Sequence, residues 1–299
     1  MAGTATYLDV AAQVGIIGSA VALLMIAGEF DLSVGSMVGA AGMIVAIGVG
    51  ELGLPVWLAV VLAIAFALLI GFINGYLVVR TRLPSFIVTL GMLFILRGLT
   101  IGVTRAMTGR TQVGGFSDAI AADPIAGIFT TKLFGSPGFG GFSVSILWWL
   151  GLALIASYIL LRTSFGNWIY GVGGSAVAAR NVGVPVNRVK IVLFMATAAS
   201  AAILAAIQVL SFSSGDVLRG GQKEFEAIIT AVIGGTLLSG GYGSAIGTVF
   251  GALTLGMTKQ GIFFAGVPGD WYQAFLGVLL LGAVLVNNWV RVRAARTRR

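Results

Sequence analysis

The sequence contains no cysteine and no histidine, and only 9% of its 299 residues are charged. Without these residues the chain cannot form disulfides, use a thiolate nucleophile or an imidazole base, or bind zinc or haem through their usual ligands. A soluble domain carries about 25% charged residues, so a polar shell of the required size cannot be built here. These absences exclude an ordinary water-soluble enzyme and favour an integral membrane protein with a transport role.

Hydrophobic residues make up 58% of the chain, and the mean hydropathy is +1.03. A membrane-spanning helix needs about 20 apolar residues. One long run, 227–257, is interrupted by a tight turn at 239–243, and its first element is too short to cross comfortably. The pattern predicts an all-α, polytopic transmembrane helical bundle of about nine membrane elements. The other predicted spans are 10–27, 33–49, 55–79, 84–103, 143–161, 187–210 and 271–289.

Glycine is abundant, with 45 residues, roughly twice the average share of about 7%. Many glycines follow a small-xxx-small spacing, which lets membrane helices approach closely. We therefore expect tight helix contacts at three sets of positions: Gly35/Gly39, Gly71/Gly75 and Gly243/Gly247/Gly251.

Basic residues cluster in three short regions, and such regions face the cytoplasm. They are the turn at 80–82, the segment 162–190 and the tail after the last span. Alternation of the spans places all three on one side, so we expect a cytoplasmic C-terminus and external loops at 104–142 and 211–226. The net charge of +8 then needs no nucleic acid partner. The basic residues of these three clusters are Arg80, Arg82, Arg162, Arg180, Arg188, Lys190, Arg291, Arg293, Arg296, Arg298 and Arg299.

The same alternation places Met1 outside, although the first 79 residues contain no Lys or Arg and no basic n-region of a signal peptide. We therefore expect one more helix, with a basic cytoplasmic lead, to precede this start in a complete protein.

Charged residues at membrane depth are costly and functional by default. The string GEFDLSVGS at 28–36 places Glu29 and Asp31 between two spans, and Arg97 lies inside an apolar run. Asp31 or Ser33 either lines a translocation pathway or simply caps the next helix. Arg97 either snorkels to the outer interface or pairs with a carboxylate such as Glu29 or Asp31.

Uncharged polar residues within the spans are a second group of pathway candidates. Asn74, Thr89, Gln208 and Thr230 could line the pathway. The alternative is that they bond to neighbouring helices, as such residues commonly do.

The segment GVGGSAVAARNVGVP at 171–185 has the pattern of a short helix between glycines. Ser175 can cap a short Ala-rich helix that Gly183 and Pro185 end. Such a helix is too short to be stable alone. The segment is therefore either a projecting knob that fits a partner's groove or a plain structured loop.

Nucleotide-binding motifs are missing from the sequence. No G-x-x-x-x-G-K-S/T occurs, so ATP is not bound by a P-loop in this chain. Gly171-x-Gly173-x-x-Ala176 matches a dinucleotide fingerprint only formally, because no strand precedes it and no acidic residue lies between Asp123 and Asp216. If ATP drives this protein, another subunit hydrolyses it.

Four strings, in order along nearly the whole chain, resemble the permease subunits of bacterial ABC importers for simple sugars, the family of ribose, xylose and galactose permeases. The strings are GEFDLSVGS at 28–36, LPSFIVTLG at 83–91 with LRG at 96–98, GGSAVAARNVGV at 173–184, and AVIGGTLLSGGYGS at 231–244. The sequence departs from that family at Glu29, where a small residue is usual, and at Ala176, where an acidic one is frequent. It also lacks the family's first helix.

The resemblance implies a single transmembrane permease domain over 1–299 in the bacterial inner membrane. By the same resemblance, the permease would bind no cofactor or metal and would catalyse no bond chemistry. A separate cytoplasmic ABC ATPase would bind ATP and magnesium. An external sugar-binding protein delivers a monosaccharide, and a second permease copy completes the pathway. The ATPase would grip a coupling helix in the cytoplasmic loop 162–190, at Gly173, Gly174, Ala178, Ala179, Arg180 and Gly183.

Three other functions stay open from the sequence. An ion-coupled secondary transporter would use Glu29, Asp31 or Arg97 as the coupling charge. An ABC permease for branched-chain amino acids or nucleosides would share the architecture. A structural or assembly membrane protein would lack any ATPase partner.

Overall fold

The computed structural model describes residues 2–135 and 140–297, and helices dominate it. The C-terminal arginines Arg298 and Arg299, and residues 136–139 of the expected loop 104–142, lie outside the described residues. The helices are α1 (Ala2–Ile26), α2 (Val34–Gly50), α3 (Val56–Thr81), α4 (Ser85–Thr108), α5 (Ser117–Ala122), α6 (Gly127–Thr130), α7 (Ser145–Arg162), α8 (Ser164–Gly174), α9 (Ala176–Asn181), α10 (Val186–Phe212), α11 (Lys223–Ile233), α12 (Ala245–Phe264) and α13 (Tyr272–Thr297). The strands are β1 (Gln112–Gly114), β2 (Lys132–Leu133), β3 (Phe142–Ser143) and β4 (Ser214–Asp216).

Six of the described helices are long and apolar enough to cross a membrane: α1, α3, α4, α7, α10 and α13. The polytopic helical bundle predicted from composition is therefore confirmed. The predicted interruption at 239–243 is also present, because α11 ends at Ile233 and α12 begins at Ala245. α2 is shorter and α11 has only 11 residues, so the number of crossings stays a prediction.

The centre of the bundle is formed by α1, α2 and α10. In α1, 78% of the apolar membrane-length stretch of the helix is buried inside the bundle, whereas the corresponding share is 22% in α4 and 6% in α13. α10 packs against α2 and α3, whereas α1 packs against α7, α11 and α12. α4, α7 and α13 thus present wide apolar faces to their surroundings, as expected of a bundle whose solvent is lipid.

The predicted helix contacts are confirmed for Gly71/Gly75 and for Gly247/Gly251, whereas Gly35 and Gly39 lie against the non-helical backbone at 217–220 and Gly243 lies in the turn before α12. On α3, Gly71 and Gly75 lie directly against the α10 backbone at Phe194 and Ile191, so a side chain at either position has no space. On α12, Gly247 and Gly251 lie against the backbone of α11 and the residue that follows it. The absence of a side chain lets these helices pack backbone to backbone.

The segments that connect the long helices lie at two ends of the bundle, and their hydrogen bonds show which segments share an end. At one end, here called the strand end, β1 pairs antiparallel with β4, and the Asp123 carboxylate accepts the Val56 N–H. At the other, the knob end, the 27–33 link lies beside the start of α4, where the Phe30 N–H donates to Ser85. The knob end also holds the turn before α12, since the Gly241 N–H donates to the Ile26 carbonyl. The basic turn at 80–82 and the loop with α8 and α9 therefore share one end, as the alternation of spans requires.

The prediction of an external loop at 211–226 is wrong for the second half of that range. After β4 the chain turns back into the bundle, and its backbone at 217–220 lies against Gly35 and Gly39 of α2. Glu224 and Glu226, at the start of α11, are both 3% exposed. A polar stretch that contains glycines has the composition of an exposed loop. The glycines of α2, however, leave a groove on that helix, and the backbone of the stretch packs into it. α11 consequently begins inside the bundle.

The expected loop at 104–142 also differs in detail from the structure. α4 continues to Thr108, and the described part of the connection then contains β1, α5, a short 3-10 helix at Pro124–Ala126, α6, β2 and β3. β1 fastens this connection to the segment that turns back into the bundle.

Candidate functional site

The predicted short helix at the knob end is α9, and its local signals act as expected. The Ser175 hydroxyl accepts the Ala178 N–H at the helix start. At the end, Gly183 has a φ of +87°, its N–H donates to the Arg180 carbonyl, and the Val184 N–H donates to the Ala179 carbonyl. This pair of bonds is the Schellman arrangement that glycine permits. The preceding helix α8 was not predicted.

α9 presents an apolar tip that the sequence did not single out. Val177 and Val182 are 73% and 80% exposed. Of the six predicted coupling residues, four are exposed, whereas Gly173 is partly buried and Ala179 is buried against the bundle. Their assignment to an ATPase contact stays a prediction. The four exposed ones are Gly174, Ala178, Arg180 and Gly183.

The base of this knob is joined to the bundle through glycines. Gly173 lies against the Ile26 carbonyl and the Gly241 N–H, and Gly240 lies against Gly28. The Tyr170 hydroxyl of α8 donates to the Gly243 carbonyl over 2.9 Å. Backbones from α1, α8 and the turn before α12 thus meet without intervening side chains, so a movement of the knob must displace all three.

Glu29 forms an ion pair with Lys190 of α10. Both side chains are largely buried, at 11% and 19% exposure. This contradicts the alternative in which Arg97 pairs with Glu29. The partner of Glu29 lies in the basic segment 162–190 that the sequence analysis used only for orientation.

Asp31 is the centre of a buried polar network that links the segment 27–33 to α3 and α10. Its Oδ1 accepts the Ser33 hydroxyl and N–H over 2.6 and 2.9 Å, and its Oδ2 accepts the Thr197 hydroxyl over 2.6 Å. Asn74 Nδ2 donates to the Ser33 hydroxyl over 2.9 Å. Ser33 is the N-cap residue of α2 but its hydroxyl does not cap the helix. The structure therefore brings together three predicted residues and adds Thr197, which has no local signal in the sequence.

The other predicted polar residues are separated from this network or bond to neighbouring backbone. The Thr89 hydroxyl accepts the Leu32 N–H over 3.1 Å, which agrees with the helix-bonding alternative. Gln208 donates to Gln13, which donates to Asp9. Thr230 is fully buried, and its hydroxyl has no hydrogen-bond partner within the described part of the chain.

Arg97 lies near the middle of α4, twelve residues after Ser85 and eleven before Thr108. At 1.5 Å per residue it is about 16–18 Å from each end of the helix, too far for its side chain to reach either interface. It does not pair with Asp31, whose carboxylate is bonded as described above. Its side chain is partly buried.

A further cluster of charged side chains lies between α11, α12 and α13; Glu226 and Lys223 are largely buried in it, whereas Lys259 is 37% exposed. Glu226 Oε2 accepts Lys223 over 2.5 Å, and its Oε1 accepts both Lys259 and the Tyr272 hydroxyl over 3.0 Å. Lys259 is the one charged residue of α12. That isolated charge in an apolar run is the signal that could have revealed the cluster.

The part of the chain that the structure describes contains no group of side chains suited to a metal ion, since no three acidic side chains converge within residues 2–135 and 140–297. A cleft of about 380 Å³ between α2, α3 and α4 is lined almost entirely by apolar side chains. The polar chemistry of the bundle is therefore concentrated in the networks described above.

Comparisons with known proteins agree with this architecture. The family model described as branched-chain amino acid transport system / permease component matches residues 3–284. The ribose import permease protein RbsC of Escherichia coli K12 is 34% identical over 270 residues, covering 89% of this chain and 79% of RbsC. The inner membrane ABC transporter permease protein YjfF of the same strain is 31% identical, covering 94% of this chain and 82% of YjfF.

The fructose import permease protein FrcC of Rhizobium meliloti is 32% identical over 291 residues, covering 96% of this chain and 78% of FrcC. No solved structure shows a significant match to the chain. The family match spans the bundle from α1 to the middle of α13. The chain therefore belongs to the branched-chain amino acid transport system / permease component family, and it is a transport permease subunit rather than an enzyme.

Proposed function

We propose that this protein is the membrane permease of an ATP-driven importer and forms the translocation pathway for a monosaccharide, a ribose-like pentose or a hexose. Two relatives with 32–34% identity are import permeases for ribose and fructose. A soluble sugar-binding protein delivers the solute to the outer face, and a separate ABC ATPase binds ATP and magnesium. Two permease copies complete the pathway.

The observation that carries the proposal is the apolar tip of α9. Val177 and Val182 expose their side chains on a short helix at the knob end, and the base of that helix is joined to α1 and to the turn before α12. An exposed apolar tip on a capped helix favours insertion into a groove of a partner protein. The ATPase would hold α9 and move it when ATP binds.

Orientation follows from the charges at the knob end. The turn at 80–82 and the loop 162–190 carry Arg80, Arg82, Arg162, Arg180 and Arg188, and they lie at the same end as α9. Short basic loops face the cytoplasm. We therefore place the knob end and the C-terminus in the cytoplasm and the strand end outside.

Transport then depends on the difference between two states of the assembly. A ligand shifts a conformational equilibrium only by its differential affinity for the two states. ATP acts on the ATPase pair, and the α9 helices transmit its closure to the glycine contacts with α1. The pathway alternates between outward and inward access, while the permease itself makes and breaks no covalent bond.

The experiment that tests this function replaces the apolar tip with charge. Val177→Asp and Val182→Asp, in the permease co-expressed with its ATPase and binding protein, should abolish co-purification of the ATPase and sugar uptake. Both side chains are exposed, so thermal stability in detergent should stay unchanged. Leu52→Asp at the strand end, where Leu52 is 59% exposed, is the matched control and should retain the ATPase. Full ATPase binding by both α9 variants would contradict the proposal.

A further inference from the structure

The segment between β4 and α11 brings irregular backbone deep into the bundle. Residues 217–222 are not helical, and Gly221 is exposed, although Gly220 next to it packs against α2. Irregular backbone at membrane depth occurs only where it is buried in protein or lines a water-filled cavity, because lipid cannot satisfy its polar groups. The exposed side of this segment must therefore face water or another protein surface rather than lipid.

The depth of this segment follows from the contacts of α11. The turn that follows α11 lies at the knob end, and the Asn287 amide of α13 donates to the Val232 carbonyl just before that turn. Gln222 precedes Val232 by ten residues, so it lies about 15 Å farther into the bundle. That distance is half the hydrocarbon core of about 30 Å. Gln222 is therefore near the middle of the membrane.

A cleft of about 240 Å³ opens at this depth between α11 and α13. Its lining includes the side chains of Gln222 and Gln273 and the ring of Phe225, which is 49% exposed. Neither glutamine side chain has a hydrogen-bond partner within the described part of the chain. Two unpaired amides and an exposed ring thus surround one open space. The other lining residues carry no polar side chain: Ile229, Leu276, Gly277 and Leu280.

The charged residues next to the cleft are paired with one another. Glu226 accepts hydrogen bonds from Lys223, Lys259 and the Tyr272 hydroxyl, and none of these four residues lines the cleft. Among the residues that the structure describes, the lining contains no Asp, Glu, Lys or Arg. The cleft therefore offers no opposite charge to an ionic solute.

These properties define the chemical class of solute. An amide both donates and accepts hydrogen bonds, as a hydroxyl group does. An apolar solute would leave the two amides unpaired, and an ionic solute would be buried without a partner charge. The face of an aromatic ring is negative and attracts the weakly positive C–H groups of a sugar ring. A neutral monosaccharide meets these requirements, whereas a sugar phosphate or a zwitterionic amino acid does not.

From this arrangement we infer that the cleft between α11 and α13 is a monosaccharide-binding site of the translocation pathway. Gln222 and Gln273 form hydrogen bonds with hydroxyl groups of the solute, and the ring of Phe225 packs against its C–H face. The inference rests on the proposed function and adds the place in the chain where the solute is held. The open side of α11 and α13 then faces the pathway.

Two glycines of α13 provide a matched pair of variants. Gly277 lines the cleft, whereas Gly282 does not, and a side chain at either position would meet nothing within 4 Å. Gly282 lies five residues farther along α13, which places it about 140° around the helix from Gly277. Gly277→Phe should fill the cleft and abolish uptake without loss of thermal stability, and Gly282→Phe should retain uptake. Full uptake by Gly277→Phe would overturn the inference.

Thiol labelling of the same two positions tests contact with water and with sugar. The chain has no cysteine, so single-cysteine variants need no background substitutions. We expect Gly277→Cys in the complete transporter to react with a charged, membrane-impermeant thiol reagent at least about tenfold faster than Gly282→Cys, since a thiolate forms only in contact with water. Transported sugar should slow the reaction at position 277. Equal rates for the two variants, or no protection by sugar, would contradict the assignment.

A further measurement tests the lining side chains in the Gly277→Cys background. We expect Gln273→Met to raise the sugar concentration that halves the labelling rate about fivefold, the effect of losing one neutral hydrogen bond. Phe225→Leu should raise it similarly, whereas Phe225→Tyr keeps the ring and should change it by less than about twofold. Unchanged protection in both Gln273→Met and Phe225→Leu, at unchanged thermal stability, would show that these side chains do not bind the sugar.

The failure of this inference and the failure of the proposed function give different results. If the wild-type transporter moves no neutral sugar with ATP, the proposed function fails, whatever the thiol rates. If it moves sugar but sugar does not protect Gly277→Cys, the function stands and the assignment of the cleft fails.

Discussion

Lys190 of α10 forms an ion pair with Glu29 in the link between α1 and α2. The two residues are 161 positions apart in the sequence. Lys190 follows the coupling segment, and Glu29 is adjacent to Gly28, against which Gly240 packs. The ion pair therefore joins α10 to the same junction that holds the knob on the bundle.

Removing one partner of this ion pair should destabilise the protein. We expect Glu29→Gln or Lys190→Met to lower the free energy of unfolding by about 2 kcal/mol, because each leaves a largely buried charge without its partner. The double exchange Glu29→Lys with Lys190→Glu should recover most of the loss. Thermal denaturation in detergent measures both effects, and additive losses in the double variant would show that the two residues do not interact.

The Asp31 network predicts a comparable loss at Thr197. Thr197→Val preserves the shape of the side chain but removes the hydroxyl that donates to Asp31. We expect stability to fall by about 1.5–3 kcal/mol, the range for a hydrogen bond to a charged group. Thr254→Val is the control, because Thr254 is exposed and bonds only within its own helix. Equal stability of the two variants would mean that Asp31 does not depend on Thr197.

Two adjacent glycines at the base of the knob should respond differently to the same change. A side chain at position 173 meets the Ile26 carbonyl, whereas one at 174 meets nothing within 4 Å. Gly173→Ala should therefore cost about 1–3 kcal/mol through overpacking and should reduce uptake, and Gly174→Ala should change stability by less than about 0.5 kcal/mol. If Gly173→Ala retains full stability and uptake, the close junction is not required for transport.

The Glu226 cluster allows the stability cost of breaking a buried ion pair to be compared with that of breaking an exposed one. Glu226→Gln leaves Lys223 and Lys259 without a carboxylate in a region where Glu226 is only 4% exposed. We expect a loss of about 3–5 kcal/mol, as for other broken buried ion pairs. Glu51→Gln, which breaks the exposed pair with Arg110, should cost about 0–1 kcal/mol. Similar values for the two variants would contradict the structural role of the cluster.

The features that could be predicted from the sequence are those with a local signal. The ends of α9 follow from Ser175 and Gly183, and the close helix contacts follow from glycine spacing. The apolar runs predict the bundle, because a helix is the structure in which a single segment satisfies its own backbone groups in lipid.

The features that could not be predicted depend on residues far apart in the chain. The segment 217–222 has the composition of an exposed loop, and only the groove at Gly35 and Gly39 explains its return into the bundle. The partners of Glu29 and Asp31 on α10 are likewise set by packing between helices. For the same reason, the sequence suggested Glu29 or Asp31 as a partner for Arg97, and the structure pairs these two residues with Lys190 and Thr197 instead.

Reconstitution into sealed vesicles tests the central claim most directly. Vesicles that contain the permease, with the sugar-binding protein outside and the ATPase and ATP inside, should accumulate labelled monosaccharide, and an ionophore should not abolish this uptake. Vesicles without the ATPase, or with an ATPase that cannot hydrolyse ATP, should accumulate none. Accumulation by the permease alone, driven by an ion gradient, would contradict the account.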